Sequence, residues 1–350
     1  MKIGSRRLLI GLGIVLAVIG IFTVEFLSFG GQFRTIPPRA PGPCDTLALE
    51  ASAEDIQIDR NRSIAYLSAL DRRALVRGED VRGTVLQLDL ASTSLQPRPA
   101  LASAPENFRP HGMALYQMGD GKQRLFVISH PPGEPHVIEI FEQGADGLFG
   151  HIGSIRDPLL QSPNAIVAVG PQQFYVANDK GASGLIERIF ESAFRSGMSK
   201  IVYYDGQTMR IAADELKSAV GLGLSPDGLR IAVAETLGKR VTLFARDPAS
   251  GTLTLESRVE LDGAPDNINV DTDGTLWIAM HARLLDLIRH FGDPDHPAPT
   301  TVLRYTNGVT ELVYAEDGSA LSAGSVGAAF GGRLLMGSIT EPELRICRLR

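Results

Sequence analysis

Apolar and polar residues alternate along most of the chain in short runs, and the alternation breaks at Gly, Asn, Asp and Pro. Period-two alternation bounded by such residues reads as β-strands joined by tight turns. The clearest stretch runs from Pro265 to Ala279. Asp266 and Asn267 lead an alternating run, Thr272-Asp273-Gly274 turns the chain, and Leu276-Trp277-Ile278-Ala279 runs back. An Asp-Gly step between such runs is a hairpin turn. The same phrase recurs from Asn164 to Ala177, and from Val220 to Ala234 through Ser225-Pro226-Asp227-Gly228. Weaker copies begin at Glu54, His111 and Gly324. The first positions 54, 111, 164, 220, 266 and 324 lie roughly 54 residues apart, a period that marks a propeller or array.

Between the phrases lie further alternating runs: Gly83 to Leu90, His136 to Phe141, Ile201 to Tyr204, Val241 to Phe244 and Val302 to Tyr305. Two strands per phrase and two per outer hairpin make a four-stranded blade. The expectation is an all-β chain, a six-bladed β-propeller over residues 44–350. One segment breaks the rhythm. In Gly184 to Lys200, Leu185, Ile186, Ile189, Phe190 and Phe194 recur at helical spacing. This predicts one inserted helix over about 184–200, either above one face as a lid or membrane-facing element, or packed on a blade edge.

The N-terminus follows a different pattern. Residues 1–7 carry Lys2, Arg6 and Arg7, and residues 8–29 are almost wholly apolar. About 20 such residues span a bilayer as a helix. A cationic start places 1–7 in the cytoplasm and exports the rest. The reading is a transmembrane signal-anchor at 8–29 and a propeller on the extracytoplasmic side, whether periplasmic, luminal or extracellular. A cleaved signal peptide is the competing reading, although no small-x-small cleavage site follows the run. Residues 30–43 form a Pro/Gly-rich linker. Cys44 follows it, and the only other cysteine is Cys347. A closed propeller joins its first and last strands, since an open edge exposes unpaired backbone groups. Asp45 to Leu49 can pair with Glu343 to Cys347, so a Cys44–Cys347 disulfide would lock the seam, and export permits it. Two unrelated thiols are the alternative.

Composition narrows the picture further. The chain has 350 residues, 44% of them hydrophobic, enough for a large core, but only 6% are aromatic, so the blades should pack through Val, Ile, Leu and Ala. A net charge of -6 leaves no basic footprint for nucleic acid. Nothing points to a protein partner.

Inner strands of a propeller line its channel, so the six first positions converge: Glu54, His111, Asn164, Val220, Asp266 and Gly324. The second positions add Asp55, Gly112, Ala165, Gly221, Asn267 and Ser325. Carboxylate and amide oxygens meeting on one axis suit a hard cation, and calcium takes six to eight oxygens in loose geometry. Glu54, Asn164, Asp266 and Asn267 would supply four. His111 and His130, on adjacent strands of one hairpin, could stand side by side, and imidazole is a suitable general base near neutrality. His281 is a third candidate. The alternative is a set of solvated loop tips and structural histidines.

These residues carry a resemblance. Glu54-Asp55, Pro110-His111-Gly112, Ser129-His130-Pro131, Asn164 to Pro171, Asn178-Asp179, Ser225 to Gly228 and Asp266-Asn267-Ile268 together resemble the serum paraoxonase/arylesterase family from about Cys44 to Cys347. The resemblance implies a six-bladed propeller of calcium-dependent lactonases and aryl esterases, often with a retained N-terminal hydrophobic segment and joined terminal cysteines. It implies a catalytic calcium on Glu54, Asn164, Asp266 and Asn267. His111 would activate water with His130 supporting it. A second, structural calcium would use Asp55 and the Met113 carbonyl. Two positions depart: Val220 replaces a calcium-binding Asn, and Ala165 replaces an Asp of the structural site. The expectation is a membrane-tethered, calcium-dependent hydrolase of small-molecule lactones or aryl esters, weakened at Val220 and with an incomplete second site. The rival readings are a gluconolactonase-like sugar-lactone hydrolase without a His dyad, a non-catalytic calcium-binding scaffold, and a strictosidine-synthase-like propeller using a Glu in place of calcium.

Overall fold

The computed structural model describes residues 3–119, 121–182 and 184–350; the side chains of 3–10, 185, 186 and 188–190 lie outside the described residues. Six four-stranded antiparallel sheets arise where the alternation places them. The inner hairpins of blades 1 to 6 begin with Ser52–Asp59, Pro110–Gln117, Pro163–Ala168, Ala219–Leu224, Ala264–Val270 and Gly324–Phe330. These inner strands neighbour one another in order, and the last meets the first. Blade 6 takes its fourth strand from the start of the propeller: Cys44–Ala48 pairs with Glu343–Arg348 in the register Cys44↔Cys347. The Cys44–Cys347 disulfide forms there and closes the ring.

Layers between blades are mainly aliphatic, as around Ala53, Ile56, Leu67, Val326 and Leu335 between blades 1 and 6. The few aromatics are not spread evenly. Tyr66, Phe108, Phe141 and Phe149 are wholly buried together between blades 1 and 2, where Tyr66 and Phe149 meet edge to face at 5.2 Å.

Among the described residues three helices interrupt the sheets, where the sequence pattern predicts one. We label the N-terminal helix α1 (Ile3–Phe29) and the insertions α2 (Arg72–Val76), α3 (Leu185–Phe194) and α4 (Leu284–Gly292). Each insertion joins the second strand of its blade to the third, in blades 1, 3 and 5. All three therefore lie at the end where the inner strands begin. Asp71 caps α2 by accepting from the Ala74 amide (2.9 Å). The helix over about 184–200 is shorter than expected. Arg195 ends it in the left-handed region (φ 53°), and Ser199 and Lys200 already belong to a strand, because they pair with blade 3. Of its spaced apolar side chains, those of Leu185, Ile186, Ile189 and Phe190 lie outside the described residues, while Phe194 is exposed.

Within α1, Gly11–Phe29 is long and apolar enough to cross a membrane, and it is exposed throughout most of its length. Its end touches the same face as the insertions. The Leu284 amide donates to Gly30 O (2.9 Å), Arg195 pairs with Glu25 (2.8 Å), and the Lys239 ammonium donates to Phe29 O.

All six inner hairpins slip register at one place: between Ala53 and Ile56, Pro110 and Met113, Pro163 and Ala165, Ala219 and Gly221, Pro265 and Ile268, and Gly324 and Val326. An extra residue in one strand bends it and re-aims side chains. The repeat seen in the sequence is thus a repeat of bulges. Two of the second positions are glycines for a packing reason. A Cβ on Gly112 would stand 2.3 Å from Asn164 O, and one on Gly221 would stand 2.3 Å from Asp266 O. Neighbouring inner strands approach too closely there for any side chain.

Candidate active site

The bulges gather polar side chains at the helix-bearing end. Glu54 is central and only 3% exposed. The Asn267 amide donates to Glu54 Oε1 (2.8 Å) and to the Glu54 carbonyl (3.1 Å), and Ser325 Oγ donates to that same carbonyl (2.8 Å). His111 Nε2 lies 3.5 Å from Glu54 Oε1. On the other side of His111, Nδ1 meets His130 Nε2 at 2.9 Å. Asp266 Oδ2 meets His281 Nε2 at 2.9 Å. Blades 1, 2, 5 and 6 are thereby tied together at one spot.

Burial and charge set the protonation of this group. Burial alone would lift the Glu54 carboxyl, but His111, Arg72 and the Asn267 amide outweigh it and hold it at about 2. Burial raises Asp266, against the opposing pull of His281. Asp55 is pushed up to about 7 by burial and by the Glu54 charge beside it. Burial likewise lowers Arg72, whose charge Glu54, Asp266 and Asp55 favour.

Whether a cation fits can be asked of the oxygens. Glu54 Oε2 and Asn164 Oδ1 are buried and receive no hydrogen bond. An unsatisfied buried acceptor costs roughly 1–3 kcal/mol, so each of these two oxygens, at the bulge of its own blade, is one that a cation could serve. With the Asn267 amide nitrogen committed to Glu54, its oxygen remains to accept. By donor chemistry, Glu54, Asn164, Asp266 and Asn267 could hold an oxygen-binding cation. Among the described residues no cluster of three or more His, Cys, Asp or Glu side chains is arranged to hold a metal; this set has two carboxylates and two amides.

The second site differs. Asp55 Oδ1 accepts from the Ile56 amide (2.7 Å) and Oδ2 from the Met113 amide (2.7 Å). Met113 thus meets Asp55 through its N–H, and the carboxylate ties blade 1 to blade 2 with both oxygens served. Ala165 is buried in the apolar layer of blades 3 and 4. These residues do not call for a cation. Val220 sits at its bulge but is packed into the apolar layer of blades 4 and 5 with Ala234, Ile268 and Met280.

Two residues of the site escape the sequence pattern. Arg72, on α2, donates to Pro110 O (3.0 Å) beside His111 and is the guanidinium among the three carboxylates. Nothing local marks it, since its neighbours in the chain are equally charged. His136 meets His130, Nδ1 to Nδ1, at 2.8 Å. Its closeness to His130 in sequence was the available signal.

Comparison with known proteins agrees with this architecture. The arylesterase family profile matches residues 80–349. Serum paraoxonase/arylesterase 2 of Gallus gallus is 32% identical over 323 residues, covering 89% of this chain and 90% of that protein. Serum paraoxonase/arylesterase 1 of Rattus norvegicus is 29% identical over 349 residues, covering 95% and 96%. Among solved structures, the calcium-binding protein regucalcin of Agrobacterium tumefaciens superposes with a TM-score of 0.52 at 14% identity, covering 89% of this chain and 93% of that one, which speaks to the fold alone. With the profile spanning most of the propeller and the relatives spanning nearly the whole chain, the chain belongs to the paraoxonase/arylesterase family.

Proposed function

We propose that this protein is a calcium-dependent hydrolase of lactones or aryl esters, anchored in a membrane by residues 8–29 with residues 1–7 in the cytoplasm. A linker at 30–43 then leads to the exported propeller at 44–350. The observation that carries the reading is the pair of unserved buried oxygens, Glu54 Oε2 and Asn164 Oδ1, next to the His111–His130 contact. Family membership supports the reaction class, and the disulfide supports an oxidising compartment.

Calcium in this position would polarise a substrate carbonyl and stabilise charge developing on its oxygen. The chain's own residues prepare the rest. Asn267 fixes Glu54, and His281 fixes Asp266. Arg72 adds a positive charge that helps hold Glu54 ionised. His111, with Nδ1 committed to His130, has Nε2 left to take a proton from an attacking water. His130 steadies that ring. The apolar packing of Val220 and Ala165 favours a second reading, a calcium-binding scaffold with little catalysis.

Lactone and aryl-ester hydrolysis, measured with calcium and with chelator, separates the two. We expect His111→Gln to lose about 10²–10⁴-fold in kcat while calcium affinity stays, and His130→Gln to lose less. Unchanged turnover in His111→Gln would remove the dyad from the reaction. Absence of any hydrolysis by calcium-bound native protein would leave the scaffold.

A further inference from the structure

We propose that His136 is a positioning residue for the proposed hydrolysis, setting the tautomers of His130 and His111 so that His111 keeps a lone pair toward the channel. The inference rests on the hydrolase reading for its consequence, and on the geometry of three rings for its cause.

The rings form a chain. His111 Nδ1 meets His130 Nε2 at 2.9 Å, and His130 Nδ1 meets His136 Nδ1 at 2.8 Å. Each pair stands edge to face, with centroids 5.0 Å and 4.6 Å apart. A tight turn brings the third ring back. Pro131-Pro132-Gly133-Glu134 has Gly133 at φ 70° and the Glu134 amide donating to Pro131 O (3.4 Å). Proline at the second place and a positive-φ glycine at the third suit a type II turn.

A neutral imidazole has one N–H and one lone pair, so each ring contact needs a donor on one side and an acceptor on the other. With three neutral rings only two orders satisfy both contacts. In the outward order, His111 Nδ1–H donates to His130 Nε2, and His130 Nδ1–H donates to His136 Nδ1. His111 Nε2 then holds a lone pair and can act as a base. In the inward order every donor reverses, the proton of His111 sits on Nε2, and the ring cannot accept one from water.

His136 selects between them. A neutral histidine prefers its proton on Nε2, so His136 presents Nδ1 as an acceptor, which demands Nδ1–H on His130 and the outward order. Without His136, the same preference acting on His130 would place its proton on Nε2. That proton would go to His111 Nδ1 and shift the His111 proton to Nε2. Glu54 Oε1, 3.5 Å from His111 Nε2, favours this inward order, so the His136 acceptor is what opposes it; the hydrogen bond Glu54 Oε1 already accepts from Asn267 at 2.8 Å meets part of its demand. His130 is itself a poor place for charge, because burial and the neighbouring His111, His136 and Arg72 push its basicity well down. It stays neutral and transmits the order.

The test uses full-length protein in detergent micelles, ¹⁵N-labelled at histidine, with His136→Phe and His136→Gln. The Gln amide oxygen can still accept from His130 Nδ1–H; Phe cannot, and His136→Ala replaces it should Phe unfold the blade. Native protein should show His130 with Nδ1 protonated and His111 with Nε2 unprotonated. The Phe variant should invert both, and the Gln variant should keep both. In hydrolysis we expect Phe to lower kcat about 10–50-fold with KM within twofold, and Gln to stay within threefold of native. Native-like tautomers or kcat in Phe, or an equal loss in Gln and Phe, would overturn the inference while leaving the hydrolase reading intact. A native protein without hydrolase activity would overturn that reading, and the nitrogen spectra would still decide the tautomer order.

Discussion

Val220 stands at the bulge where the family resemblance implies an oxygen donor to the proposed cation, and Val220→Asn tests both the site and its shortfall. The side chain is 8% exposed and packed among Ala234, Ile268 and Met280. An amide placed there without a partner costs roughly 1–3 kcal/mol. For a propeller of this size, with unfolding entropy near 2.1 cal/mol/K per residue, that lowers Tm by about 2–5 °C. A cation would reverse the sign of the change. If the introduced amide oxygen adds a ligand and tightens calcium about tenfold, saturating calcium returns about 1.4 kcal/mol to the variant relative to native protein. The stability gap should therefore be wide in chelator and should nearly close in calcium. Thermal scans in both conditions read the gap, and calorimetry reads the affinity. Hydrolysis should rise by on the order of 10²-fold, since a pre-placed donor near developing charge is worth that much. A gap of the same size in chelator and calcium, with no gain in affinity or rate, would refute the placement of the cation among these bulges.

Three other outcomes are expected. Cys44→Ser/Cys347→Ser opens a loop of 303 residues, worth about 6 kcal/mol in the loop-entropy model, so Tm should fall by about 9 °C; an unchanged Tm would mean the strand pairing of the seam suffices. Glu341 is held at about 2 by hydrogen bonds from His290 and Arg73, against burial, and so ties α4 to α2. Because its folded value lies below its ordinary one, that stabilisation is present above about 4.5 and is lost as pH falls toward about 2; the Tm difference between native and Glu341→Gln should vanish across that window, and a difference independent of pH would contradict it. Finally, the intact protein should sediment with membranes and resist alkaline carbonate, and a soluble form beginning near Gly30 would refute the anchor.

Much of this molecule is local and therefore legible in sequence. Alternation and turn residues act within a few positions, so the hairpins, the blade count and the phase of the repeat at Glu54, His111, Asn164, Val220 and Asp266 could all be read along the chain. The seam could be read because closure of a ring requires its ends to pair, and Cys44 and Cys347 flank those ends. The apolar run before Phe29 announces a membrane-compatible helix by length alone. The short helices were harder. Asp71 is a proper cap for α2, and Leu284, Leu287, Ile288 and Phe291 have helical spacing, but each segment is too brief to stand out among strands. What the sequence could not decide is which distant groups share one small volume. Arg72 enters the site because α2 lies over the start of two blades; its guanidinium then helps hold Glu54 ionised, while Glu54, Asp266 and Asp55 favour its own charge. Asp55 and Glu54 are adjacent carboxylates in the chain, yet one is served by two backbone amides and the other keeps an open oxygen, because a bulge turns them to different neighbours. Val220 and His136 follow the same rule. Hydrogen-bond partners and burial are properties of the packed ring, so the tertiary structure alone assigns them.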